Sequence, residues 1–221
     1  MVKPSLSLGR PVRKIIHLSV VRQLSSGQEK QLLAETAASL SLSDVSWLTL
    51  AFHNGRSHHL FVKTIPVIWR PIPLRYLFAW IVIAKLSREC DFILVRHMPF
   101  DPFSLIFAPF IKNRVSVHHS LELQELPLIK KGWRGRLAAS FEQLVGPYSL
   151  RRAAGILGVT DEIAQYQKAR AGVGLSVCAY PNGVVEGQIS TLDDARADNN
   201  EVHAAFLCGT FSSWHGLDKL M

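Results

Sequence analysis

The chain has 221 residues, 48% hydrophobic and 19% charged, which excludes a disordered tail and suits one large domain, or one domain and part of another. Cys90, Cys178 and Cys208 are far apart and odd in number, so neither a disulfide framework nor a metal cluster follows from their spacing. The net charge of +8 is uneven: residues 1–152 hold 21 Lys+Arg against 9 Asp+Glu, whereas residues 186–221 hold 2 against 6.

Near the start, Lys3, Arg10, Arg13 and Lys14 precede an apolar run, Ile15–Val21, that contains His17 and Ser19 and stops at Arg22. That run is too short for the apolar core of a secretory leader, so a reducing, cytoplasmic location is expected. Lys14–Val20 reads as a buried strand. Ser26 and Glu29 have the spacing of a capping box, and a helix pattern runs on to Leu40. Val45–Phe52 is the next strand, His53–Arg56 a turn and Leu60–Ile65 a further short strand. Pro71 and Pro73 precede an apolar helix over residues 73–88. Its core, Leu74–Leu86, is too short to span a bilayer, which takes about 20 residues. Two readings stay open for it: a buried helix, or a helix touching a membrane surface through Trp69, Arg70, Arg75 and Trp80.

Asp91–Arg96 is a buried strand, a helix is predicted over 102–111, and Arg114–His118 is a strand followed by a loop at 119–132. Arg134–Arg152 reads as a helix, Gly155–Val159 as a strand, and Asp161–Ala171 as a helix capped by Thr160 or Asp161. Ser176–Tyr180 is a strand ending in Pro181-Asn182-Gly183. Residues 184–202 are polar and acidic and read as a linker. His203–Cys208 and the loop Gly209–Gly216 look like the first strand and turn of a second domain. The expected organisation is thus an α/β domain at 1–183, a linker at 184–202, and the opening of a second domain at 203–221. Strand–helix alternation predicts a Rossmann-like parallel sheet with helices on both faces, whose ligand edge lies at the carboxyl ends of the strands.

That edge directs attention to Ser25–Gln28, His53–Arg56, Arg96–Pro99, His118–Glu122, Thr160–Asp161 and Asn182–Gly183. One glycine, Gly27, follows the first strand where a dinucleotide fingerprint needs three. His58-His59 reads as an exposed turn, and no third ligand at zinc spacing accompanies it, so no metal is expected. His118 and His119 follow a buried strand; they either meet a sugar hydroxyl or make a local hydrogen bond. Glu122 and Glu125 are either acceptor-binding carboxylates or solvated charges. Gly209–Gly216 is either a phosphate cradle or an ordinary turn.

Several segments together resemble one group. Lys14–Leu33, Val115-Ser116-Val117-His118-His119, Glu142 with Arg151–Asp161, Pro181-Asn182-Gly183-Val184 and Phe206–Asp218 resemble, in order and spacing, the family 4 (group 1) glycosyltransferases of the GT-B fold. The resemblance implies the N-terminal half of a GT-B fold and retaining transfer from a nucleotide-sugar, without metal or other cofactor. The acceptor would be a saccharide or lipid-linked saccharide in cell-surface polysaccharide or glycolipid synthesis. By carry-over, His118 or His119 would lie near the reacting sugar, with Glu122 and Arg96 on the acceptor. Gly27, Gly209, Thr210, Phe211 and Ser212 would border the donor phosphates. The chain departs from the family at Ser26-Gly27, where two glycines are usual, at Ala154-Gly155, where an aspartate is usual, and at Thr160, where serine is usual. The family's downstream Glu-x₇-Glu element has no counterpart before Met221, so the chain by itself is expected to be inactive. The basic body and apolar helix suggest peripheral contact with the inner membrane face. The alternative is a non-catalytic basic module binding nucleic acid or a membrane; no recognition helix or other nucleic-acid motif supports specific nucleic-acid binding. Another sugar-nucleotide reaction, such as epimerisation, is a third reading on the same architecture.

Overall fold

The computed structural model describes residues 12–55, 59–129, 132–172 and 174–181. The predicted linker and second-domain opening, with Gly209, Thr210, Phe211 and Ser212, lie outside the described residues, as do Arg56, His58, Asn182 and Gly183.

Among the described residues seven strands form one parallel sheet: β1 (Arg13–Val20), β2 (Val45–His53), β3 (Val62–Thr64), β4 (Phe92–Arg96), β5 (Arg114–His118), β6 (Gly155–Gly158) and β7 (Val177–Ala179). Their order is β3-β2-β1-β4-β5-β6-β7, with every neighbouring pair parallel. Helices α1 (Ser26–Ser39), α2 (Ile72–Leu86), α3 (Ser104–Phe107), α4 (Glu122–Ile129), α5 (Trp133–Leu150) and α6 (Asp161–Ala171) connect them. This is the Rossmann-like α/β class that the alternation predicted.

Strand alternation sorts the side chains onto two faces. Ile16 and Leu18 of β1 pack with Trp80 and Ile83 of α2 and with Ile93 and Val95 of β4. Ala51 of β2 packs on the opposite face against Leu32 of α1. The strand order reverses between β1 and β4, and a crevice opens at such a reversal, outside the carboxyl ends of the strands.

Four sequence expectations are corrected. The cap of α1 is Ser25 rather than Ser26: its hydroxyl accepts from the Gln28 amide, and the Gln28 side chain answers to the Ser25 amide, a capping box shifted by one residue. The expected loop at 119–132 contains α4; Pro127 reads as a breaker, but burial of Glu122 and Leu126 holds the helix. The helix expected at 102–111 is one short turn, α3, followed by a 3₁₀ turn at Ala108–Phe110. Trp80 and Arg75 do not form a surface: Trp80 is 2% exposed, stacks on Phe107 and donates to Asp101, and Arg75 is buried with its guanidinium on the Arg70 carbonyl.

Candidate functional site

The ends of β4 and β5 each carry two consecutive polar residues, Arg96-His97 and His118-His119. Consecutive side chains leave a strand on opposite faces. His97 and His118 therefore meet beneath α4–α6, stacked at 4.5 Å between centroids. Arg96 and His119 instead line the crevice at the strand reversal, with His17, Ser19, Gln28 and Gln31.

The inward pair belongs to a buried polar network. His118 is 0% exposed; its Nδ1–H donates to Glu122 Oε1 at 2.6 Å, and Nε2 accepts from the Ser116 hydroxyl at 2.9 Å. Glu122 also accepts from the Gln167 amide, and Gln167 in turn accepts from Arg170 at 2.8 Å. Arg170 donates to the Glu142 carboxylate at 2.8 Å and to the Glu142 carbonyl at 3.0 Å. Glu142 also takes the His97 Nε2–H at 3.1 Å and the Phe100 amide at 3.1 Å. Phe100 has φ +62°, a left-handed conformation costly for a side chain that size; its amide bond to Glu142 and its ring against Phe141 hold it there. The loop after β4 is fixed from the other side by Tyr76, which donates to the Pro99 carbonyl, and by Asp101, which accepts from Trp80.

Burial alone would raise both carboxyls, but the charged partners win. The hydrogen bond from His118 holds Glu122 far below the carboxylate range, and His97 and Arg170 hold Glu142 at about 2. Burial opposes protonation of His97, yet Glu142 and Glu122 raise it above its ordinary value. Burial and the charge of His97 push His118 down to about 4, so His118 is neutral at pH 7. Arg170 is thus the fixed positive charge between the two carboxylates, and both of them favour the protonated form of His97.

This geometry reassigns two expected site residues. His118 has both ring nitrogens engaged inside the protein, so it cannot meet a sugar. Glu122 is neither solvated nor free to hold an acceptor, because both of its oxygens serve the network. His97, His118 and Glu122 present ligand atoms within 4.8 Å of one another, enough for a metal by distance. The Nε2 lone pair of His118 is committed to Ser116, both Glu122 oxygens accept from internal donors, and Arg170 already supplies positive charge beside Glu122 and Glu142. A divalent ion would have to displace these bonds.

The crevice differs: His17, Gln28 and Gln31 are each bonded on one side, to Glu35, Ser25 and Glu35, while other polar atoms there have no partner among the described residues. Among the described residues Arg96 makes no hydrogen bond or ion pair; burial lowers its pKa, opposed by the charge of Glu35. His119 is half-buried and pushed down to about 3 by burial and by the charges of Arg96 and His17, so it stands as a neutral imidazole at pH 7. His17 is 1% exposed, and its Nδ1–H donates to Glu35 at 2.5 Å, leaving Nε2 buried without a partner. Gly27 lies in the first turn of α1, where an added Cβ would meet open space. Arg70 and Trp69 sit at the turn before α2, away from this crevice in sequence and lining. Cys90 and Cys178 are free thiols.

No sequence-family model matches the chain, and no curated protein matches it. Among solved structures it is similar to UDP-GlcNAc 2-epimerase from Neisseria meningitidis bound to UDP-GlcNAc, at 12% identity and TM-score 0.46, over 75% of this chain and 45% of that one. It is similar to UDP-GlcNAc 2-epimerase from Methanocaldococcus jannaschii at 10% identity and TM-score 0.43, over 75% of this chain and 45% of that one. It is also similar to TcCGT1 in complex with UDP, at 11% identity and TM-score 0.41, over 81% of this chain and 53% of that one. The chain spans about half the length of these structures.

Proposed function

We propose that this chain is the acceptor-side half of a nucleotide-sugar-dependent enzyme, a retaining glycosyltransferase of the GT-B type acting on a saccharide or lipid-linked saccharide. What carries the reading is the crevice at the strand reversal. A guanidinium with no partner among the described residues (Arg96), a neutral imidazole (His119) and the amides Gln28 and Gln31 converge where open α/β sheets bind ligands. The ordered segments of the family resemblance support it independently. Chemically, His119 offers one N–H and one lone pair, which suits a sugar hydroxyl in either role. Arg96 supplies the positive charge that a phosphoryl group or a departing diphosphate requires.

The test is a ¹⁵N NMR titration of the 221-residue chain with UDP, UDP-GlcNAc and a neutral oligosaccharide. Shifts are expected to cluster at Ser19, Gln28, Arg96 and His119, and Arg96→Ala should weaken binding at least about tenfold, the loss of one charge-assisted hydrogen bond. Arg96→Ala and His119→Ala should keep the wild-type melting temperature, because neither side chain belongs to the buried network. No shifts at millimolar ligand, or shifts remote from Arg96 and His119, overturn the reading. Steeply salt-dependent binding of DNA or RNA would instead favour a nucleic-acid module.

A further inference from the structure

The segment between β3 and α2 exposes apolar side chains. Val67 is 72% exposed, Ile68 71%, Ile72 51% and Leu74 38%. They fall within nine residues, Pro66–Leu74, around the 3₁₀ turn Val67–Trp69 and the first turn of α2. The turn is built to present them. Trp69 lies against Phe78 at 5.9 Å, Phe78 against Phe52 at 5.4 Å, and Arg70 Nε donates to the Ile65 carbonyl at 3.2 Å. The backbone is thus fastened to the body while Val67 and Ile68 point away from it.

The charge around this segment is one-sided. From Val45 to Arg88 the sequence holds six Lys or Arg and no Asp or Glu. Arg22, at the end of β1, is close enough to Arg75 to depress its guanidinium further after burial. Among the described residues no carboxylate pairs with Arg22, Lys63, Arg70 or Arg75. The segment also follows the carboxyl end of β3, so it leaves the sheet on the same edge as the crevice.

We infer that Val67, Ile68, Ile72 and Leu74 insert into the interface of an anionic lipid bilayer, with Arg22, Arg70 and Lys63 against its headgroups. The Trp80 and Arg75 pair expected from sequence has no part in this contact. An apolar protein groove would not need flanking basic side chains that no carboxylate pairs with; an anionic bilayer takes both features at once. No helix among the described residues is long and apolar enough to cross a membrane, and the contact requires none. The inference stands apart from the sugar-nucleotide reading, since lipid binding needs no occupied crevice.

The test is co-sedimentation of the full 221-residue chain with vesicles. Binding to equal parts phosphatidylglycerol and phosphatidylcholine should exceed binding to pure phosphatidylcholine by at least tenfold, at about fivefold per basic residue near the surface. Ile68→Asp with Ile72→Asp should lower partitioning at least tenfold; both sites are exposed, so circular dichroism and melting temperature should hold. Leu137→Asp with Leu144→Asp makes the same charge change at exposed sites on α5 and should bind far better than the first pair. Equal losses for both pairs would reduce the contact to net charge and overturn insertion. Unchanged binding of the first pair overturns it as well. A wild-type dimer by light scattering that Ile68→Asp dissociates would assign the patch to a second copy of the chain.

Discussion

Glu142→Gln tests whether the buried network is an ion system or a set of polar contacts. Glu142 is 2% exposed and receives Arg170, His97 and the Phe100 amide. The amide keeps the volume and one acceptor but removes the charge. Arg170 is then left in the interior with Glu122, 3.6 Å away, as its remaining counterion, and His97 loses the charged partner that raises its pKa. A carboxyl held at about 2 instead of about 4.3 corresponds to about 3 kcal/mol of stabilisation. Removing one partner of a buried pair costs about 3–5 kcal/mol, a large part of a total of about 5–15. The melting temperature should fall by about 10 °C at pH 7. The folded-state pKa of this acid is depressed, so its contribution is present above about 4.3 and lost as pH falls to about 2. The gap between variant and wild type should accordingly narrow toward pH 2. Urea unfolding followed by far-ultraviolet circular dichroism measures it, and a double-mutant cycle with Arg170→Met locates it. A Glu142→Gln loss under about 1 kcal/mol, or strict additivity with Arg170→Met, refutes the ion-pair account.

Three further outcomes are expected. Gly158→Ala would place a methyl 2.8 Å from the Thr160 carbonyl oxygen and 2.9 Å from Ala164 Cα; backbone cannot yield there, so urea unfolding should register a loss of about 3 kcal/mol or no folded protein. Thr160→Ala removes the hydroxyl that accepts the Ile163 amide at 3.2 Å and should cost about 1 kcal/mol, with Thr160→Ser retaining most of it; an unchanged midpoint for the alanine variant would show that the cap is idle. The folded-state pKa of His118 is lowered to about 4, so its contribution is full above the unfolded value near 6.5 and lost as pH falls through about 4. Stability should drop by about 3 kcal/mol across that window from this group alone, with His119 adding in the same sense, and a flat profile between pH 6.5 and 4 would contradict the neutral, buried imidazole.

The sheet was legible in the sequence because its strands are buried on both faces. Lys14–Val20, Asp91–Arg96 and Gly155–Val159 differ from the observed β1, β4 and β6 by one residue at one end, and Arg114–His118 not at all. Continuous apolar runs bounded by polar residues specify such strands locally. Helix α4 was not legible: ELQELPLI carries a proline and little periodicity, and the helix depends on Glu122 reaching residues in β5 and α6. The network escaped for the same reason. Glu142 lies 45 residues from His97 and 28 from Arg170, and no spacing rule joins them. One local signal existed: His118 and Glu122 stand four apart, the last residue of a strand and the first of a helix. Trp80 and Arg75 misled because a mixed aromatic and basic helix face is compatible with water, lipid or core; only Asp101 and Phe107, from the next βα loop, settle it as core.

Strand parity resolves what the adjacent histidines alone leave open. His118 and His119 have the same chemistry, and both sit at the carboxyl edge of the sheet. The hydrogen bond between Ser116 and His118 puts His118 on the Ser116 face of β5, under α4–α6, so His119 must face the other way. On β4 the register that pairs Arg96 with Val117 forces the same division: His97 goes inward to stack on His118, and Arg96 goes to the crevice with His119. The two layers then do different work. The inward layer satisfies every carboxylate with a donor and so fixes the loops after β4 and β5. The crevice layer leaves the Nε2 of His17 buried without a partner, beside a half-buried Arg96 guanidinium that has no hydrogen bond or ion pair to the described residues. An unsatisfied buried polar atom costs about 1–3 kcal/mol, a cost that a ligand bonding to His17 Nε2 would remove. The inner network thus fixes the loops after β4 and β5, and so holds Arg96 and His119 at the edge, where a ligand can reach them.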